Sequence, residues 1–161
     1  MAIIVEDGTG LAAAESYCTV AFANTYFKNR GIALWEDLET TRKEQLLRIA
    51  TDYIDMRFGA RFRASPLTRW QALCFPRGDS GPLPVVLQRA TAEYAMRAVD
   101  GPLVADPVTD ERGLQVRSKT EKLGPLEERV EYVDSGASVF KPYPAADMLL
   151  KSLLRPTGII R

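Results

Sequence analysis

Thr41-Arg42-Lys43-Glu44-Gln45-Leu46-Leu47-Arg48-Ile49-Ala50-Thr51-Asp52-Tyr53-Ile54-Asp55-Met56-Arg57-Phe58-Gly59 is the stretch from which the fold is read. It opens with a hydroxyl residue followed three places later by Glu44, a capping-box pattern in which the hydroxyl accepts an orphan N–H and the Glu reaches back. Leu46, Ile49, Ala50, Tyr53, Ile54 and Phe58 then recur at helical spacing, and Gly59 closes the run. The spacing predicts a long helix with one apolar stripe. Such a stripe must be covered by other helices, so a mainly α body is expected.

Working outward, Ser16 can cap a preceding helix that runs to Arg30, with Val20, Ala23 and Phe27 on one face and Gly31 as its C-terminal glycine. On the other side, Pro84 suits the first turn of a third helix through Val99, whose face is Leu87, Ala90, Tyr94 and Ala98. These give a bundle of about three helices around Val20, Phe27, Leu46, Ile49, Tyr53, Leu87, Ala90 and Tyr94. Past Pro107 the helical period ends. Residues 114–122 and 129–133 alternate weakly around Gly124-Pro125, which predicts an antiparallel hairpin. Its first strand carries Arg117, Lys119 and Lys122 and its second Glu127, Glu128 and Glu131, so cross-strand charge pairs support it. A hairpin this polar is expected to protrude from the body rather than fill it.

The ends read as arms. Ala2 to Val5 is short and β-branched, followed by the turn residues Asp7-Gly8-Thr9-Gly10. At the other end, Ser135-Gly136-Ala137-Ser138 and Pro142-Tyr143-Pro144 separate a short apolar helix from the body. Met148, Leu149, Leu150, Leu153, Leu154, Ile159 and Ile160 behind that tether suit a segment that orders in a partner's groove; the alternative is a helix folded back on its own core. One domain over 1–161 is expected: an N-terminal arm at 1–15, a helical core at 16–107, the hairpin at 108–134 and a C-terminal docking segment at 135–161.

Composition narrows the function. The chain is 46% hydrophobic and 26% charged, as in an ordinary globular domain. Its 21 Lys and Arg balance 21 Asp and Glu, which argues against a polybasic or membrane-surface protein. No His is present, removing the commonest general base and zinc ligand. Cys18 and Cys74 lie among apolar neighbours and read as reduced packing residues. With neither a signal peptide nor a membrane-length apolar run, the chain reads as intracellular and soluble, with no membrane partner. Asp52 and Asp55 read as a solvated helix face partnered by Arg48 rather than as an acid–base pair. The Asp7-Gly8-Thr9-Gly10-Leu11 turn fits no phosphate-loop spacing, and no Ser-x-x-Lys motif occurs. Neither enzymatic activity, nor a metal, nor a cofactor is expected.

Residues 57–77 hold Arg57, Arg61, Arg63, Arg69 and Arg77 with no acid, interleaved with Phe58, Phe62, Trp70 and Phe75. Guanidiniums pair with phosphates and rings stack on bases, so this stretch is a possible basic contact surface for nucleic acid. The competing reading places the aromatics in the core and the arginines against acids of the same or a neighbouring subunit; overall neutrality favours it. Residues 110–134 carry seven acids against five bases, so the chain is complementary to itself, as a heterologous interface requires.

Several segments together resemble a known family. They are Ile4-Val5-Glu6-Asp7-Gly8-Thr9-Gly10-Leu11 with Ala14-Glu15-Ser16-Tyr17, Ala50-Thr51-Asp52-Tyr53-Ile54-Asp55 ending in Phe58-Gly59-Ala60-Arg61-Phe62, and the Gln71-Ala72-Leu73 and Phe75-Pro76-Arg77 block. Ala90-Thr91-Ala92-Glu93-Tyr94-Ala95, Lys122-Leu123-Gly124-Pro125-Leu126-Glu127 and the Leu149-Leu150 to Leu153-Leu154 close complete the set. They resemble tailed-phage and prophage proteins of the DnaT-like single-stranded-DNA-binding family, which is similar to head–tail connector adaptors beneath the portal. The resemblance implies a structural virion protein, assembled in the host bacterial cytoplasm, in a ring of about twelve copies. Its implied partners are itself, the portal, a tail or stopper/tail-terminator protein, and genomic DNA passing through the lumen without sequence specificity. Arg112, Arg117, Lys119, Lys122, Glu127, Glu128 and Glu131 would then form the subunit interface or lumen hairpin, and the C-terminal apolar residues would dock on the portal. The alternative is a DnaT-like replication protein that binds single-stranded DNA.

Overall fold

A computed structural model describes residues 2–78, 81–104, 116–122, 127–132 and 140–156, with the two strands as backbone. The chain divides into two units, Met1–Leu103 with Pro142–Arg161, and Val104–Lys141.

The first unit runs α1 (Val20–Lys28), α2 (Ala33–Glu36), α3 (Thr40–Phe58), a 3-10 turn (Gly59–Arg61), α4 (Val85–Arg97), α5 (Pro144–Leu150) and a second 3-10 turn (Lys151–Leu153). Thr19, not Ser16, caps α1: its Oγ1 accepts from Phe22 N at 3.0 Å. The Ser16 hydroxyl is engaged with Cys18, and its carbonyl accepts from Glu6 N at 2.9 Å. The capping box at Thr41 does not form, because α3 begins at Thr40 with Glu39, two residues before Thr41, as its N-cap and no side-chain cap bond. Glu44 instead takes Ile3 N at 3.4 Å and lies 3.9 Å from Arg48. In α4, Pro84 stands at the cap itself.

Phe27, Leu46, Tyr53, Leu87, Ala90 and Tyr94 are buried as expected, and Val20 is half-buried. Ile49 departs from expectation at 41% exposed, while Leu47 is fully buried. The buried face of α3 includes Thr51, whose Oγ1 donates to Leu47 O at 2.9 Å and so enters the core without an unpaired hydroxyl. A stripe counted on apolar residues alone misses that position and turns the helix toward Ile49. The four-residue α2, too short to show a period, buries Trp35, whose indole N–H donates to Asn24 Oδ1 at 2.9 Å.

The expected architecture of three core helices with a protruding hairpin and two extended arms requires correction. Among its described residues the body contains five α-helices and no β-strand, only isolated bridges, and the segments around Val5 and at 144–155 are packed into it. Mainly α stands; hairpin and arms are not parts of this body. At the N-terminus, Val5 bridges to Ser16, and the Glu6 carboxylate, buried, accepts from the N–H groups of Gly8, Gly10 and Leu11, each at 2.9 Å. Gly8 is required there: its φ is +104°, and a Cβ would stand 2.2 Å from Gly81 O.

The C-terminal segment is also part of the body. Leu150 and Leu154 are buried and Leu149 and Leu153 half-buried, so these leucines cover the chain's own helices, whereas Met148 is 64% exposed. Ile159 and Ile160 lie outside the described residues. Asp147 on α5 takes both Arg57 guanidinium nitrogens at 3.0 and 2.9 Å and the Tyr94 hydroxyl. The rings of Tyr53, Tyr94 and Tyr143 meet around it at centroid separations of 4.9, 5.9 and 6.0 Å. Apolar residues behind a proline break can serve a partner or their own body; the Arg57–Asp147 pair decides for the body.

The second unit holds an antiparallel pair, β1 (Val116–Lys122) and β2 (Glu127–Tyr132). Its register sets Lys122 across from Glu127 but Glu121 across from Glu128, Lys119 across from Val130 and Ser118 across from Glu131, with an irregularity between Val116 and Ser118. The register therefore places opposite charges across from one another at one position rather than along the pair. Arg112 lies outside the described residues, and Arg117 falls at the irregularity.

Candidate nucleic-acid interface

Residues 57–77 begin on the last turn of α3 and leave it through a closed loop. Phe58 and Phe62 are buried, and Phe62 meets Phe75 edge-on at 5.6 Å. Isolated bridges join Phe62 to Leu154 and Pro66 to Arg77; Leu67 N donates to Pro76 O at 3.1 Å, and Gly78 N to Ser65 O at 2.9 Å. Gly59 lies so close to the loop that a Cβ would stand 2.7 Å from Cys74 Sγ.

The loop is held by side chains that bond to main chain. Arg77 donates to three carbonyls: Nε to Cys74 O at 2.7 Å, Nη1 to Ala64 O at 3.1 Å and Nη2 to Gly59 O at 2.7 Å. Asp55 accepts Cys74 N at 2.8 Å and the Tyr17 hydroxyl at 2.5 Å, and that hydroxyl accepts Phe75 N at 3.0 Å. Burial raises the Asp55 carboxyl above its ordinary range, opposed by these hydrogen bonds, and lifts the Tyr17 phenol well above its own, aided by the Asp55 charge. Asp55 is therefore not on a solvated face, and Arg48 pairs with Glu15 at 2.9 Å instead of Asp52. Cys18 is buried and its thiol pushed up to about 12 by desolvation; Cys74 is half-buried and likewise raised by burial, and both are free. Neither is set up as a nucleophile.

At the tip, Thr68 N donates to Gln71 Oε1 at 2.9 Å while Gln71 N donates to Thr68 Oγ1 at 3.0 Å. This reciprocal pair leaves Arg69 and Trp70 as the two central residues of a tight turn, both exposed, Trp70 at 67%. Gln71 Nε2 reaches inward to Leu73 O at 2.7 Å and Pro76 O at 3.1 Å, and Ala72 N donates to Leu11 O at 3.0 Å, tying the tip to the N-terminal segment. Beside it lies an open cavity of about 450 Å³ lined by Pro66, Thr68, Arg69, Gln71, Leu73 and Arg77 among others.

The five arginines thus divide. Arg57 is paired with Asp147 and Arg77 holds the loop, so both are structural. Arg61 and Arg63 are exposed, and Arg63 Nε donates to Leu154 O at 2.9 Å. Arg69 makes no ion pair or side-chain hydrogen bond among the described residues. The core reading of the aromatics holds for Phe58 and Phe62 and fails for Trp70. Thr68-x-x-Gln71 is itself a capping-box spacing and was the one signal that could have identified this turn.

Among the described residues no helix is long and apolar enough to cross a membrane, and no cluster of three metal-ligating side chains occurs. The loop at 61–77 presents exposed arginines and one exposed aromatic ring, Trp70. Over residues 1–160 the chain matches the family described as "Putative DnaT-like ssDNA binding protein", and it belongs to that family. No curated protein and no solved structure matches it significantly.

Proposed function

We propose that this protein binds single-stranded DNA through the loop at 61–77. The observation that carries the reading is the exposed Trp70 on a hydrogen-bonded tip, with Arg61, Arg63 and Arg69 exposed in a stretch that contains no acid. Base stacking on an aromatic ring adds to phosphate pairing by guanidiniums, and neither needs a base-paired partner strand. Membership in a family named for single-stranded-DNA binding supports it. The chain acts as a binding protein, without catalysis or cofactor.

A second reading, a head–tail adaptor that forms a ring with its own copies beneath a portal, is favoured by the charge layout. Glu36, Asp37 and Glu39 are exposed before the start of α3, while Arg61, Arg63 and Arg69 follow its end. A 19-residue helix separates its ends by about 27 Å, so these acids and these arginines lie apart on a neutral chain, as head-to-tail contact between copies would need. DNA in the lumen, portal and tail proteins would be the partners of such a ring in the virion.

Sizing the full chain by light scattering with and without a single-stranded oligonucleotide separates the two. A complex that forms at low salt and weakens steeply as salt rises supports the first. No complex at any salt overturns it, and ring formation without DNA moves the assignment to the second.

A further inference from the structure

Of the polar side chains around Trp70, those of Thr68, Gln71 and Arg77 are engaged within the protein. Gln71 uses its oxygen on Thr68 N and its amide nitrogen on Leu73 O and Pro76 O. The Thr68 hydroxyl accepts Gln71 N and lies 3.5 Å from Gly10 O, and the Arg77 guanidinium is held by three carbonyls. Reading a base by its edge requires donors and acceptors that are free to face it. Here the free features are the indole ring with its one N–H and the Arg69 head group; the ring faces stack on any base, and Arg69 carries no base identity so long as it is engaged by phosphate rather than by a guanine edge.

Resting on the single-stranded-DNA reading, we propose that the tip takes one unpaired base on the Trp70 ring without reading its identity, with Arg69 on the adjoining phosphate. The ligand class is a nucleotide unit of exposed π-face and negative backbone, not a sequence. Thr68 and Gln71 are positioning residues: their hydrogen bonds hold the turn that presents the ring, and they make no contact with the base.

The molecule supplies its own reporter, because Trp35 is fully buried and Trp70 is exposed, so quenching of tryptophan emission by ligand reads Trp70. The full chain is titrated at low salt with thymine, adenine and cytosine homopolymers of about twelve nucleotides, an abasic strand of that length and a duplex. The three homopolymers are expected to quench and to bind within about threefold of one another, and the abasic strand to bind about tenfold more weakly with no quenching. Trp70→Ala should reduce homopolymer affinity to the abasic level, and Trp70→Phe should recover part of the loss. A preference above tenfold for one base, or equal binding of abasic and base-bearing strands, overturns the proposal and leaves single-stranded-DNA binding in place. Absence of binding to every strand overturns both.

Discussion

The helical body and the loop at 62–78 are held by different physics. Around α3, α4 and α5 the contacts are mainly apolar, with Leu46, Leu47, Ile54, Leu87 and Leu150 fully buried. In the loop, Arg77, Gln71, Asp55 and Tyr17 act almost entirely on backbone N–H and C=O groups. Apolar packing is non-directional and spreads the effect of a change over many neighbours. Hydrogen bonds to main chain fix positions one at a time, so a single polar substitution reshapes the loop and leaves the body standing.

The largest effect is expected in the body. Leu87→Ala should lower unfolding free energy by about 3 kcal/mol in urea titrations, since a fully buried leucine leaves a cavity. A loss below about 1 kcal/mol would mean the helices repack freely and would erase the contrast. Arg57→Ala comes next, at about 2 kcal/mol, because it leaves the Asp147 carboxylate without its two-pronged partner. The double variant with Asp147→Asn should cost less than the sum of the two single changes, and strict additivity would show the pair to be uncoupled.

Gln71→Ala should cost about 1 kcal/mol, yet change Trp70 emission and weaken DNA binding. Unchanged emission would show that the tip holds its shape without the Thr68–Gln71 pair. Asp55 yields a subtler signal in pH. Its folded carboxyl is raised, so the native state holds that proton more tightly than the unfolded chain does. Its contribution is therefore fully present below the unfolded value of 3.8 and is lost as pH rises through the folded value. Asp55→Asn should remove that loss, so that the variant's melting temperature falls less than the parent's as pH rises through the acid range. Smallest of all, Trp70→Ala should shift stability by no more than about 0.5 kcal/mol, because the ring is mostly exposed.

The long helices were legible because a 3.6-residue period repeats several times in each. What the period could not show was the polar share of the core: Thr51 is buried through its bond to Leu47 O, and Ile49 is turned outward as a result. Asp55 and Arg77 looked like surface charge because their partners, the backbone of residues 59–75, leave no trace in side-chain composition. Trp70 carried the opposite error, a ring assigned to the core with its neighbours because the chain is neutral overall, when its turn holds it outward. The C-terminal leucines were recognised as needing cover, but only the pairing of Asp147 with Arg57, 90 residues away, tells what covers them.

The base of the loop is closed by the far end of the chain. Arg63 N donates to Leu153 O at 3.0 Å, Arg155 N to Arg61 O at 2.8 Å, and Phe62 bridges to Leu154. During synthesis, α1 to α4 leave the ribosome well before residues 153–155, so the body can begin to pack while the root of the loop still lacks the segment that closes it. This loop is thus among the last features to mature, and a nascent chain stalled before Leu153 would carry the arginines and Trp70 without the geometry that presents them.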